Sequence, residues 1–281
     1  MTISLTQEKV KELRKIALQI RRMVVEMVFT AQSGHLGGSL SVAEIISVLF
    51  FSELKIDPRK PNWPERDRLV PSKGHCAPAI YAALALRGFI DSGCLNTLRQ
   101  VDSILQGHPC MKSTPGIDMS TGSLGHGLSI GVGMALGGRL KRSNFLVYVL
   151  LGDGELNEGQ NWEAAMAAAK HSLSHLIAIV DRNRIQLDGP TEEVMPLEPL
   201  IEKWKAFNWN TMSVDGHSVE EISDSIQWAK QSHDRPSVII ANTIKGKGVS
   251  FMENTHKWHG RPPTREEYEL AMRELEGEID E

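Results

Sequence analysis

An apolar run, Phe145 to Leu151, stops at Gly152-Asp153-Gly154, and Asn183 stands thirty residues after Asp153, just past a second apolar run, Leu176 to Val180. No other feature constrains the fold as much. Runs this short and this uniformly apolar read as strands buried on both faces, the pattern of parallel sheets. The Ala-rich segment of about residues 160–172 between them has helical length, so the three pieces form a βαβ unit. Trp209 to Val214 and Val238 to Thr243 read as two more strands, with a helix at 218–231 between them. The expected fold class is α/β, a parallel β-sheet flanked by helices, with residues 1–281 forming a single domain.

The remaining segments are helical or irregular. Leu13, Ile16, Ile20, Met23 and Met27 recur at helical spacing among charged residues, predicting a long amphipathic helix over residues 5–29. A Gly-rich break from Ser33 to Ser39 follows, and Ser41 with Glu44 reads as a capping box opening a helix at 42–52. Residues 54–73, rich in Pro and charge, read as an irregular connection. His75 to Leu86 and residues 128–140 read as helices of small residues, and a charged helix spans about 264–276. Composition excludes several classes. A formal net charge of -4 gives no reason to expect nucleic acid or an anionic membrane surface as partner. No segment approaches the ~20 uninterrupted apolar residues of a membrane span. Cys76, Cys94 and Cys110 form no CxxC pair and read as reduced thiols, so a cytoplasmic setting is expected.

In open parallel sheets ligands bind beyond the carboxyl ends of the strands, where Asp153 and Asn183 both fall. One carboxylate and one amide oxygen are hard ligands suited to Mg²⁺ or Ca²⁺, and Mg²⁺ completes its shell with phosphate oxygens and water. Gly152 and Gly154 let backbone come close to a phosphate.

Gly-Asp-Gly with Asn some thirty residues on resembles the motif of thiamine-diphosphate enzymes. In that family the Asp and Asn side chains and a backbone carbonyl two residues beyond hold the metal on the diphosphate; the matching residues are Asp153, Asn183 and Ile185. Further segments resemble transketolases: Ser33-Gly34-His35, Ser72-Lys73-Gly74-His75, Gly107-His108-Pro109 with Thr114-Pro115-Gly116, Thr121-Gly122-Ser123-Leu124-Gly125, Lys245-Gly246-Lys247-Gly248 and Trp258-His259-Gly260. The resemblance implies that His35 and His108 face the sugars and that His75 and His259 lie nearer the diphosphate and the reacting carbon. It implies that Lys245 and Gly154 serve the diphosphate, that Gly122, Ser123 and Leu124 contact the aminopyrimidine side, and that Glu158 lies at a subunit interface beside the cofactor. Histidine suits such work because it donates to phosphate and hydroxyl oxygens and moves protons near neutrality. Glu155 reads as a solvated or outer carboxylate; His126 stands where Gln is usual and Arg182 where Asn or Ile is frequent. His217 carries no assigned chemistry, and His256 competes with His259 for the same role.

A whole transketolase is more than twice this long and has a second domain whose Glu contacts the aminopyrimidine. Nothing after Gly260 encodes that domain. The implied protein is the N-terminal subunit of a split transketolase, active only with a C-terminal partner subunit of about 300 residues. The implied assembly is α₂β₂, the cofactors are thiamine diphosphate with Mg²⁺ or Ca²⁺, and the substrates are sugar phosphates. Two alternatives remain open on these residues: a subunit of a related thiamine-diphosphate enzyme (1-deoxyxylulose-5-phosphate synthase-like or a 2-oxo-acid dehydrogenase α), or a non-catalytic cofactor-binding module.

Overall fold

The computed structural model describes residues 5–277. Five strands form one sheet: β1 Arg68–Pro71, β2 Val147–Gly152, β3 Leu176–Arg182, β4 Asn210–Asp215 and β5 Ser237–Asn242. Their spatial order is β1-β2-β3-β5-β4, and every neighbouring pair is parallel. The three central strands bury nearly every residue, as continuous apolar runs require.

Because side chains alternate across a strand, each run is divided between two cores. Tyr148, Leu150, Ile177, Ile179, Ile239 and Ala241 face one core, while Val147, Val149, Leu151, Ala178, Val180 and Ile240 face the other. The first face is covered by the helices Gln7–Ala31, Ala43–Val48, Ala77–Leu86 and Val219–Lys230, the second by His126–Leu140, Gly159–Lys170 and Leu200–Ala206. For the crossover helices His126–Leu140, Gly159–Lys170, Leu200–Ala206 and Val219–Lys230 the side follows from handedness. β1→β2, β2→β3 and β3→β4 step one way along the sheet, β4→β5 steps back, and right-handed crossovers put the last helix on the opposite face.

The long first helix begins on a Thr6 side-chain cap to Lys9 N. It buries Leu13, Ile20 and Met27 fully, with Ile16 and Met23 half-buried. Each full burial of that kind is worth about 1.5–3 kcal/mol. The closing helix Arg265–Gly277 packs back on it.

Three local readings need correction. The stretch read as irregular contains β1, a four-residue edge strand; paired on one side only, it needs too few residues to show a period, and its Pro71 is tolerated at the strand end. The predicted helix at 42–52 is an α-helix from Ala43 to Val48 continued by a π-helical turn, Leu49–Glu53. Its capping box does not form. Glu44 turns inward to a bidentate pair with Arg21 at 2.7 Å, and the Ser41 hydroxyl serves Asp181 instead. Buried charge demands a partner more strongly than a helix start demands a cap. The Gly-rich break also holds a short helix, Gly37–Leu40.

Candidate active site

Four strands deliver polar residues to the same edge. β1 runs out into Ser72, Lys73, Gly74 and His75; β2 into Asp153; β3 into Asn183; β5 into Thr243 and Lys245. Between them lies a cleft of about 320 Å³ lined by Asp153, Asn183, Ile185, His75, Lys245 and His259, with Gly154, Leu124 and Glu158 also on its wall. Nine of the predicted residues therefore share one cavity.

At its floor the geometry is built by charge pairing. Asp153 is buried; Oδ1 accepts from Gly154 N at 2.7 Å, and Oδ2 from Arg182 Nη1 at 3.2 Å and from Arg184 N. Burial, with Asp181 nearby, pushes its carboxyl up to about 6. A bound cation would reverse that preference, since an adjacent positive charge favours the ionised form. Asn183 lies beside it. Its Nδ2 donates to Asp181 Oδ2 at 2.9 Å, which turns Oδ1 the other way, where it accepts from Ile185 N at 3.1 Å. Lys245 Nζ reaches the Ile185 carbonyl at 3.2 Å and His259 Nδ1 at 3.1 Å. Burial, then the charge of Lys73, lower its ammonium to about 8.

The donor set is a carboxylate, an amide oxygen and a carbonyl, all hard oxygens, and among the described residues no three His, Cys, Asp or Glu are grouped so as to hold a metal by themselves. That is a set for a hard divalent ion sharing its shell with phosphate. The Nε2 of Gln186, another lining residue, is a buried donor without a partner. A Cβ on Gly154 would come within 2.8 Å of Gln186 Cγ, and one on Gly38 within 3.0 Å of His75 Nε2, so both glycines keep the cradle open. These features fit a metal-bound diphosphate.

Asp181 was visible in the sequence only as a strand-end residue, yet it organises the floor. Fully buried, it accepts from Lys73 Nζ, from the hydroxyls of Ser41 (2.8 Å) and Thr243, and from Asn183 Nδ2. Lys73 is equally buried and also donates to the Gly38 carbonyl at 2.9 Å. The Lys73 ammonium holds the Asp181 carboxyl below its ordinary range against the cost of burial. Glu155, read as a solvated or outer carboxylate, is buried, which removes the first of those readings. It accepts from Ser72 Oγ and from the backbone N–H groups of Gly125 and Gly152, both at 2.9 Å, and so ties the 121–127 turn to β2. The Arg182 departure is structural: its buried guanidinium links Asp153 to Thr191, Glu192 and Glu198.

His75 and His259 line the cleft, and with His35 and His108 just outside its lining they form a cluster of imidazoles. His35 lies 5.6 Å from His75, 6.1 Å from His108 and 5.3 Å from His259 between ring centroids, and His75 lies 5.1 Å from His259. Four loops far apart in sequence meet here. Burial first, and then neighbouring cations, lower His35 to about 4 and His259 to about 3, and lower His75 well below its ordinary value. His108 is lowered by burial and by Arg99. All four are neutral at pH 7 and can donate through one nitrogen and accept through the other.

The other candidates separate cleanly. His256 is exposed while His259 joins the cluster. His217 is a tie in the scaffold: Nε2 accepts from Ile244 N at 2.8 Å, so its proton sits on Nδ1 and is donated to Glu44 at 3.0 Å. With Arg21, that bond draws Glu44 down to about 2. Gly122 and Ser123 face a neighbouring depression with His126, while Leu124 reaches the cleft. Gly122, at φ +148, leaves its missing side chain's space to the His108 ring.

The parallel sheet with a cleft of hard oxygens and buried cations at its strand ends has the architecture of a thiamine-diphosphate-binding α/β domain. The sequence matches the family model for "Transketolase, thiamine diphosphate binding domain" over residues 13–278. The chain belongs to the transketolase family. It is 48% identical over 267 residues to the 6-deoxy-6-sulfo-D-fructose transketolase subunit SqwG of Clostridium sp. (strain MSTE9), covering 95% of this chain and 97% of that protein. It is 45% identical over 260 residues to an apulose-4-phosphate transketolase subunit of Phocaeicola vulgatus, covering 92% of each. Human transketolase is 39% identical over 274 residues, and there the chain spans 97% of itself but 43% of the relative. The crystal structure of Campylobacter jejuni transketolase superposes with a TM-score of 0.90 at 34% identity, covering 95% of this chain and 43% of that one. The end-to-end relatives are separately encoded transketolase subunits, and this chain groups with them as an N-terminal subunit of a divided transketolase. Neither a related synthase or dehydrogenase subunit nor a bare cofactor module accounts for that grouping.

Proposed function

We propose that this chain, assembled into an α₂β₂ complex with a C-terminal partner subunit, transfers a two-carbon ketol unit from a ketose phosphate to an aldose phosphate in the cytoplasm. The observation that carries this reading is that His75 and His259 share one cleft with Asp153, Asn183 and Ile185, while the rings of His35 and, through it, His108 adjoin them. Asp153 Oδ, Asn183 Oδ1 and the Ile185 carbonyl would hold Mg²⁺ or Ca²⁺ on the diphosphate, with Lys245 and Gln186 as donors to its oxygens and Gly154 leaving room for it. Bound thiamine diphosphate supplies an electron sink for cleaving and forming the carbon–carbon bond. His75 and His259, which line the cleft, would face the reacting carbon, and His35 and His108 would donate to hydroxyl and carbonyl oxygens of the sugars. Being neutral, they can accept a proton from a substrate hydroxyl or return one without first losing a charge. Glu158, exposed on the cleft wall, and Gly122, Ser123 and Leu124 meet the aminopyrimidine side together with the partner.

The substrate has an anionic far end, which the partner binds. The two relatives matched end to end are named for apulose-4-phosphate and 6-deoxy-6-sulfo-D-fructose, so a phosphate- or sulfonate-bearing donor outside the common pentoses is the favoured specialisation. The test is reconstitution with the partner, Mg²⁺ and thiamine diphosphate, assaying xylulose-5-phosphate and sulfonated ketoses as donors to an aldose phosphate. Ketol transfer that needs both subunits is expected. Turnover by this chain alone, or consumption of pyruvate by the assembled pair, would overturn the reading.

A further inference from the structure

Arg99 lies outside every motif that marked the site, on the loop between the 3₁₀ segment Ser92–Thr97 and Gly107-His108-Pro109. Its side chain crosses to the first helix's exit loop, where Nη1 donates to Ser33 Oγ at 3.0 Å and Nη2 lies 3.4 Å from His35 Nδ1. A guanidinium has donors and no acceptor, and it stays charged at all working pH values. His35 Nδ1 must therefore be the accepting nitrogen, which leaves the imidazole proton on Nε2, at the far edge of the ring.

The chain is shaped to deliver this contact. Arg99 occupies the left-handed region at φ 60, as does Asp102 at φ 63, a conformation that non-glycine residues adopt at a cost. The strain is held by the bond from Arg99 N to the Leu105 carbonyl (2.9 Å) and by Ser103 Oγ, which bonds Thr97 Oγ1 and Leu105 N. The guanidinium lies flat against Gly107. A Cβ at that position would sit 3.0 Å from both Cζ and Nε, so the adjoining turn is open on the side where Arg99 passes.

We propose that Arg99 is a positioning residue for the sugar end of the cleft, holding His35 neutral in the Nε2–H tautomer so that one edge of the ring is a dedicated donor. His35 is surrounded by Arg99 from the 98–106 loop, His108 from the next turn, His75 and Lys73 beyond β1, and Lys245 and His259 beyond β5. No carboxylate figures among the groups that shift its titration; burial and these cations all disfavour an imidazolium. Arg99 alone among them makes a directed contact to Nδ1, so it sets the tautomer as well as the charge. The consequence for turnover rests on the proposed sugar-facing role of His35. The tautomer itself does not.

The experiment is therefore chosen to read the ring directly. The full chain, labelled with ¹⁵N-histidine, is followed by long-range ¹⁵N–¹H spectra from pH 4 to 8, with His35 assigned by its loss in His35→Gln. Wild type is expected to show an unprotonated Nδ1 and a single Nε2–H tautomer that persists below pH 5. Arg99→Gln is expected to admit the Nδ1–H tautomer and to raise the midpoint by about one unit toward the ordinary histidine value. Gly107→Ala, whose methyl group crowds the guanidinium at 3.0 Å, is expected to loosen the contact and move both readouts in the same direction, and Arg99→Lys to restore the charge effect without the tautomer. Nδ1–H in wild type, or an unchanged ring in both Arg99→Gln and Gly107→Ala, would overturn the proposal. In the assembled enzyme, Arg99→Gln should shift the acid limb of kcat/KM to higher pH and leave cofactor affinity at pH 7 intact. A changed tautomer without ketol transfer in wild type would instead refute the functional reading and leave this one standing.

Discussion

The two ends of the cleft are built on opposite electrostatic terms. The floor is a network of full charges, Lys73 with Asp181 and Arg182 with Asp153, in which the buried carboxylates have a cation and several N–H or O–H partners. The histidine wall carries no carboxylate partner and stays uncharged because burial and nearby cations make protonation costly. The floor is thus ready to hold an ion and an anion at fixed positions, and the wall to exchange hydrogen bonds as substrate oxygens change character. Preorganised charge serves binding; neutral, invertible donors serve turnover.

The largest effect should come from breaking the floor. Asp181→Ala would strand the buried Lys73 ammonium, and removing one partner of such a pair typically costs about 3–5 kcal/mol. Urea unfolding of the purified chain reads this, and restoration of stability by adding Lys73→Met would show that the loss is the orphaned charge. A loss much smaller than that range would mean that water or a shifted residue replaces Asp181.

On the wall, His35→Ala and His108→Ala should lower kcat/KM of the assembled enzyme by about 10²–10³ while cofactor affinity and melting temperature hold. Loss of rate that tracks weakened cofactor binding would make these rings structural ties of their turns, and the contrast between the two ends would collapse. The reciprocal pair sharpens it. Asp153→Ala and Asn183→Ala should weaken metal-dependent cofactor binding by about 10²-fold or more, a direct ligand counting for at least as much as an outer one. Calorimetry on the assembled protein measures this, and equal affinity in both variants would move the metal elsewhere.

The smallest effect is acid sensitivity. His35 and His259 fall from an ordinary 6.5 to about 4 and about 3, so the folded protein refuses protons that the unfolded chain accepts. Their contribution is undiminished above pH 6.5 and declines as pH falls below it, levelling only under the folded values. His259→Gln should therefore lose less stability than wild type between pH 6.5 and 5, read as urea midpoints at each pH. Parallel curves would show that the folded cluster takes up protons freely.

Much of this was legible in advance because it depends on local pattern. Asp153 and Asn183 each end a short apolar strand, and strand ends in a parallel sheet share one edge. The central strands and the long first helix followed from periodicity, and the four histidines from their glycine-containing segments. β1 escaped because four residues at a sheet edge carry no period, and the Ser41–Glu44 pair misled because a capping pattern says nothing about which buried cation lies across the core.

The sequence by itself determined the alternation of strands and helices, the strand-end placement of Asp153 and Asn183 and the family of the chain. Tertiary structure alone decided which charges neutralise one another and which guanidinium meets which imidazole. Lys73 with Asp181, Arg21 with Glu44 and Arg99 with His35 are contacts between segments far apart in the chain. The physical reason is that burial sets the value of each ion pair and each imidazole's protonation, and burial exists only once distant segments have packed.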